Sequence, residues 1–111
     1  MTHIELNELL AAAHAHSNAV LQAVQQQDLE LANACEAQRF ESLRELARWC
    51  EVHEMDEPLR AHVVKEMREL EILDTKLGAL MQALAQRIRE ELQAINKKRK
   101  SSQAYAQVAL R

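Results

Sequence analysis

Glycine and proline each occur once in this 111-residue chain, as Gly78 and Pro58. Tight hairpins and sheet bulges draw on such residues, so a β-sheet has almost no raw material here. Aromatic residues number three, Phe40, Trp49 and Tyr105, and no stretch alternates apolar with polar positions amid β-branched side chains. Strands are therefore unsupported. No apolar run approaches membrane-spanning length, which excludes a helical span. The opening MTHIELNELL carries acidic residues where a secretory leader needs basic ones, so a cytoplasmic protein with no membrane partner is expected. Neither sign of charge dominates, with 14 basic and 17 acidic residues. No basic face builds up along the chain, which argues against direct nucleic-acid binding.

Two cysteines are present, Cys35 and Cys50, fifteen positions apart on one expected helix. That spacing holds them roughly 22 Å apart, beyond disulfide reach. They read as small apolar residues in a reducing compartment.

What the chain does hold is helix formers: Ala, Leu, Glu, Gln, Arg and Lys dominate. A first helix is expected from about His3 to Gln26, with the stripe Leu6, Leu9/Leu10, Ala13, Ser17, Val20, Val24. Thr2 and Glu5 have capping-box spacing. The polar segment Gln25 to Asp28 marks a turn, with Asp28 as N-cap of a second helix from about Leu29 to Val52. Its inward side reads Leu29, Ala32, Cys35/Glu36, Arg39/Phe40, Leu43, Leu46/Ala47, Cys50, and Glu41–Arg44 and Glu45–Arg48 pair on its outer face. Pro58 opens a third helix behind Asp56 and Glu57.

The third helix carries the most informative pattern. Leu59, Val63, Met67, Leu70, Leu73, Leu77, Leu80/Met81, Leu84, Ile88, Leu92 and Ile95 recur at steps of three and four, with no break before Asn96 and the basic run Lys97–Lys100. From Pro58 to Arg99 it would be roughly 55–60 Å long, and the two earlier helices only about two-thirds of that. Short connections make neighbours antiparallel, so the three-helix overlap stops near Leu84. Ile88, Leu92 and Ile95 project beyond it, and each is worth about 1.5–3 kcal/mol when buried. The expected fold is all-α: an elongated antiparallel three-helix bundle over residues 1–100, with one long third helix. A short fourth helix over 101–111, capped by Ser101 or Ser102, would fold back as a lid and bring Tyr105 and Val108 onto the overhang.

Catalysis is not expected. There is no Gly-rich loop, no nucleophile elbow and no strand to hold one. Arg68 to Asp74 faintly resembles the opening helix of the helical chorismate mutases, but Leu84 stands where that family's second arginine would follow. His14 and His16 point to different sides of a helix, and His62 with Glu66 lacks the second pair a di-metal bundle needs. No metal or cofactor is therefore expected. The Lys97–Lys100 run reads first as cations complementing a helix C-terminus, with phosphate-bearing partners as the alternative.

The chain resembles the FliT family of flagellar export chaperones. The resemblance is carried by Asp28-Leu29-Glu30-Leu31 followed by Glu36, Arg39 and Leu43, by Ile72-Leu73-Asp74, by Arg87, Leu92 and Ile95, and by the basic segment from Lys97 that ends in Ala104-Tyr105. The turn after Gln27 departs from it, since members often have a glycine and an aromatic there. The resemblance implies a cytosolic helical chaperone that binds the C-terminal region of the filament-cap protein FliD and prevents its premature assembly. It also implies contacts with export-apparatus components and, in some members, a flagellar transcription regulator, and a last helix that restrains binding. The client would lie along Leu77, Leu80, Leu84, Ile88, Leu92 and Ile95, with Tyr105 and Val108 on the lid. Chaperones of flagellin or of hook-junction proteins are the nearest alternatives. A structural helical oligomer, in its simplest form a homodimer, is the rival of a different class.

Overall fold

The computed structural model describes residues 2–110, with the first and last residues outside it. Three helices follow in order: α1 (Thr2–Gln25), α2 (Leu29–Val52) and α3 (Glu57–Ala109). The capping-box reading at Thr2 falls on a side chain outside the described set. In α1 the buried positions Leu6, Leu10, Ala13, Ser17, Val20 and Val24 step by four and three, with Ala23 buried beside the last of them. The buried positions of α3, Val63, Leu70, Leu77 and Leu84, recur at every seventh residue. This heptad period is that of helices wound with a left-handed supercoil, whose seams stay face to face.

The α1–α2 turn is built without glycine. Asp28 N–H donates to the Ala23 carbonyl (3.0 Å) and Gln27 N–H to the Val24 carbonyl (2.9 Å), the paired bonds of a Schellman ending. Gln27 takes the left-handed conformation at φ 60 that glycine normally fills. Asp28 then caps α2, its carboxylate accepting from Leu31 N–H at 3.0 Å. Gln27→Gly is expected to stabilise the fold by up to about 1 kcal/mol, the cost of a side chain in that region. Urea denaturation reads the effect, and a loss of stability would mean that the glutamine side chain is needed where it lies. The second connection repeats the device: Asp56 accepts from Leu59 N–H at 2.9 Å, with Pro58 in the first turn of α3.

The packing differs from a simple sequential bundle. α1 lies along α2 for its whole length and also carries α3, whereas α2 and α3 meet at only a few points. A cleft of about 380 Å³ is left between α2 and α3, lined by Leu43, Met67, Leu70, Glu71 and Asp74. The core falls into two apolar clusters. Leu6, Leu10, Ala13, Leu46, Trp49, Val63 and Leu70 form one, and Val20, Ala23, Val24, Ala32, Leu77 and Leu84 the other. Between them lies a polar layer of Ser17 and Arg39, with Ser42 close by in the same seam of α2. Arg39 is 2% exposed and donates to Glu36 of its own helix and to Asp74 of α3. Burial works against its charge, but the bonds to Glu36 and Asp74 outweigh that and raise its pKa.

Three expectations need correction. Phe40 does not share the inward face: Arg39 takes that position, and its guanidinium lies 5.0 Å from the outward Phe40 ring. Arg48 reaches Glu41 at 3.4 Å, beside the Arg44–Glu41 pair at 3.1 Å, in place of Glu45. Most consequential, there is no short fourth helix. Residues 101–109 continue α3, which runs 53 residues without a break. No Gly or Pro follows Gly78, so extending the helix adds one hydrogen bond per residue, while a separate short helix would need a new nucleus. The result is a rod of 81 × 20 × 18 Å. Its last buried residue is Leu84, so the overhang begins where the helix lengths put it.

Candidate functional site

Two features meet at the end of the bundle. The first is a cleft of about 500 Å³ between the end of α1 and the middle of α3. Leu21, Val24, Leu80, Ala83 and Leu84 form its apolar wall, and Gln25, Gln27, Lys76 and Arg87 its rim. The second is the bare arm of α3 beyond it. Ile88 is half-buried, packed against the second core cluster, whereas Leu92 and Ile95 are 55% and 61% exposed. All three stay on the stripe that was buried in the bundle, so an apolar path leads from the cleft out along the arm.

The expected client-facing residues divide into three sets. Leu77 and Leu84 are core residues, 0% and 6% exposed, and act by holding α3 in place. Leu80 and Ile88 are partly buried and line the edge of the cleft and the start of the arm. Leu92 and Ile95 are open to solvent, as are Tyr105 and Val108 on the continuation of α3, at 82% and 71% exposed. Tyr105 and Val108 lie past Ile95 along the same helix and do not return over it. On α1, Val24 belongs to the expected stripe, whereas Leu21 is absent from the sequence reading; the signal for it was the pair Val20-Leu21, which widens the α1 stripe beyond its seam.

Elsewhere several polar side chains find structural partners. His14 Nε2 lies 2.8 Å from Glu66 Oε2, joining α1 to α3, and Glu69 completes a group whose ligand-type atoms lie within 4.8 Å of one another. Glu66 thus pairs across helices with His14 and not with His62 along α3. The two cysteines are free and half-buried, and burial pushes the Cys50 thiol up, away from reactive thiolate. His53 ends α2 by stacking on Trp49, with ring centroids 4.3 Å apart. Among the described residues no helix is long and apolar enough to cross a membrane.

An all-helical rod with an apolar cleft running onto an unpartnered amphipathic helix is suited to hold another helix or extended segment. It belongs to the class of helical binding proteins. The family model described as flagellar protein FliT matches residues 7–107, and the chain belongs to the FliT family, whose members are flagellar export chaperones. No curated protein and no solved structure matches the chain.

Proposed function

We propose that this chaperone binds the C-terminal region of the filament-cap protein FliD in the cytoplasm and prevents its assembly before export. The observation that carries the reading is the apolar stripe that leaves the bundle uncovered: Ile88, Leu92 and Ile95 beside the Leu21–Leu84 cleft. An amphipathic client helix would bury its apolar face along these residues and end in the cleft. The same reading extends to export-apparatus components and a flagellar transcription regulator as later partners. Residues 101–110 act as a lid only if α3 can break near Lys100–Ser102 and fold back.

Calorimetric titration of the full chain and of a 1–100 truncation with the C-terminal segment of the same organism's FliD tests this. Binding by both chains is the expected result. Tighter binding by the truncation supports the lid, and equal binding removes it. Absence of binding by either chain overturns the FliD assignment and moves the test to flagellin and hook-junction clients.

A further inference from the structure

Among the described residues, one group of metal-ligating side chains converges away from the candidate site. His14 of α1 and Glu66 and Glu69 of α3 bring an imidazole nitrogen and two carboxylate oxygens within 4.8 Å of one another. Spacing along the chain does not reveal the group, since His14 and Glu66 are 52 positions apart. Neither His16 nor His62, the histidines that spacing sets beside His14 and Glu66, belongs to it.

The packing fixes the positions of the three side chains. Leu10 and Ala13 are buried beside His14 on α1, and Val63 and Leu70 are buried on either side of Glu66 and Glu69 on α3. All four belong to one core cluster, so the two backbones are held against each other at this level. Glu66 and Glu69 are three apart and share a face of α3. His14 Nε2 already lies 2.8 Å from Glu66 Oε2. The His14 and Glu66 side chains are 33% and 22% exposed and Glu69 is exposed, so the group opens to water on one side.

The donor set suits a particular kind of ion. Zinc takes nitrogen and oxygen ligands at roughly 2.0–2.2 Å in a tetrahedral shell, which sets neighbouring ligand atoms about 3.4 Å apart. The 2.8 Å pair needs to open slightly and the remainder of the group to close, changes within reach of side-chain rotation. Two carboxylates and a neutral imidazole balance a divalent charge. Without such a charge, the two carboxylates repel along the helix, and one imidazole offsets one of them. An imidazole ligand favours a transition metal over magnesium or calcium, which take oxygen.

We propose that His14, Glu66 and Glu69 bind a divalent transition-metal ion of the zinc type, with water completing a four-coordinate shell. The ion clamps α3 to α1 and closes a loop that contains all of α2. It steadies the part of α3 from which the arm extends. The site stands apart from the client surface, so the proposal is independent of the client's identity.

Calorimetric titration of the full chain with zinc chloride alone is the test, with thermal unfolding as a second readout. One ion per chain is expected, with affinity in the micromolar range. At a hundredfold excess over the dissociation constant, the melting temperature is expected to rise by about 10 °C. Replacing Cys35 and Cys50 by serine is expected to leave both results unchanged. His14→Ala and Glu66→Gln are each expected to weaken binding at least about tenfold and to remove the thermal gain, with helix content preserved. His16→Ala and His62→Ala are expected to keep both. Binding indifferent to His14→Ala, binding lost with the cysteines, or loss at His62→Ala in place of His14→Ala would each overturn the proposal. So would a melting temperature that zinc does not raise.

Discussion

Replacing Arg39 by alanine is expected to cost about 3 kcal/mol of folding stability, as much as truncating a core leucine. The side chain is almost fully buried where the two apolar clusters meet, and its removal acts twice. It opens space in the seam, and it strands the Glu36 carboxylate, whose Oε2 is buried and has no partner even with the arginine present. Asp74 is half exposed and recovers water, which keeps the figure at the low end for breaking a buried pair. Domains of this size have about two to five times that stability in total, so the melting temperature is expected to fall steeply. Thermal and urea unfolding measure it. Glu36→Gln in the same chain removes the stranded charge and is expected to return part of the loss. A cost below about 1 kcal/mol would place the arginine among ordinary surface pairs.

Leu92→Ala with Ile95→Ala is expected to behave in the opposite way: intact folding and failed binding. Both side chains are more than half exposed and touch neither core cluster, so the melting temperature should hold. If the client covers them, their truncation removes about 3 kcal/mol of buried apolar surface. That is a loss of more than a hundredfold in affinity. Calorimetry with the FliD C-terminal segment checks the binding and circular dichroism checks the fold. Unchanged affinity would move the client off the arm and leave the Leu21–Leu84 cleft as its seat.

Much of this architecture was legible in the residues. Asp28 caps α2 as its position predicts, Asp56 takes the cap of α3 where the sequence offers Asp56 or Glu57 at that helix's positive end, and both connections fall where polar residues interrupt the stripes. The end of the three-helix overlap at Leu84 followed from helix lengths alone. The phase of α2 was harder. Hydropathy favours Phe40 and Leu43 inward, yet Arg39 and Ser42 hold the seam because the heptad in that helix passes through them. Glu36 on the same helix and Asp74 on α3 together make a buried arginine tolerable there, and a partner 35 positions away is not a local signal. Ser101-Ser102 looked like a cap because serine competes for backbone hydrogen bonds in isolation, whereas an established helix carries straight through it. That α3 leans on α1 more than on α2 is a matter of three-body packing, to which stripes on separate helices are blind. Of the candidate site, Ile88, Leu92 and Ile95 were readable as surplus apolar surface, Leu80 came in only through the family resemblance, and Leu21 was not readable.

The close partnership of α1 with α2 has a consequence in time. Those two helices are neighbours in the chain, joined by a turn at Gln26–Asp28, and their contacts need only a short loop to close. During synthesis the hairpin can therefore be complete while α3 is still being made. The contacts that must wait span longer stretches: His14 with Glu66, and Arg39 with Asp74. The arm comes last and depends on no distant residue of its own chain for its shape. A growing chain of this kind shelters its own core early and displays its sticky end only when the body that steadies it is already in place.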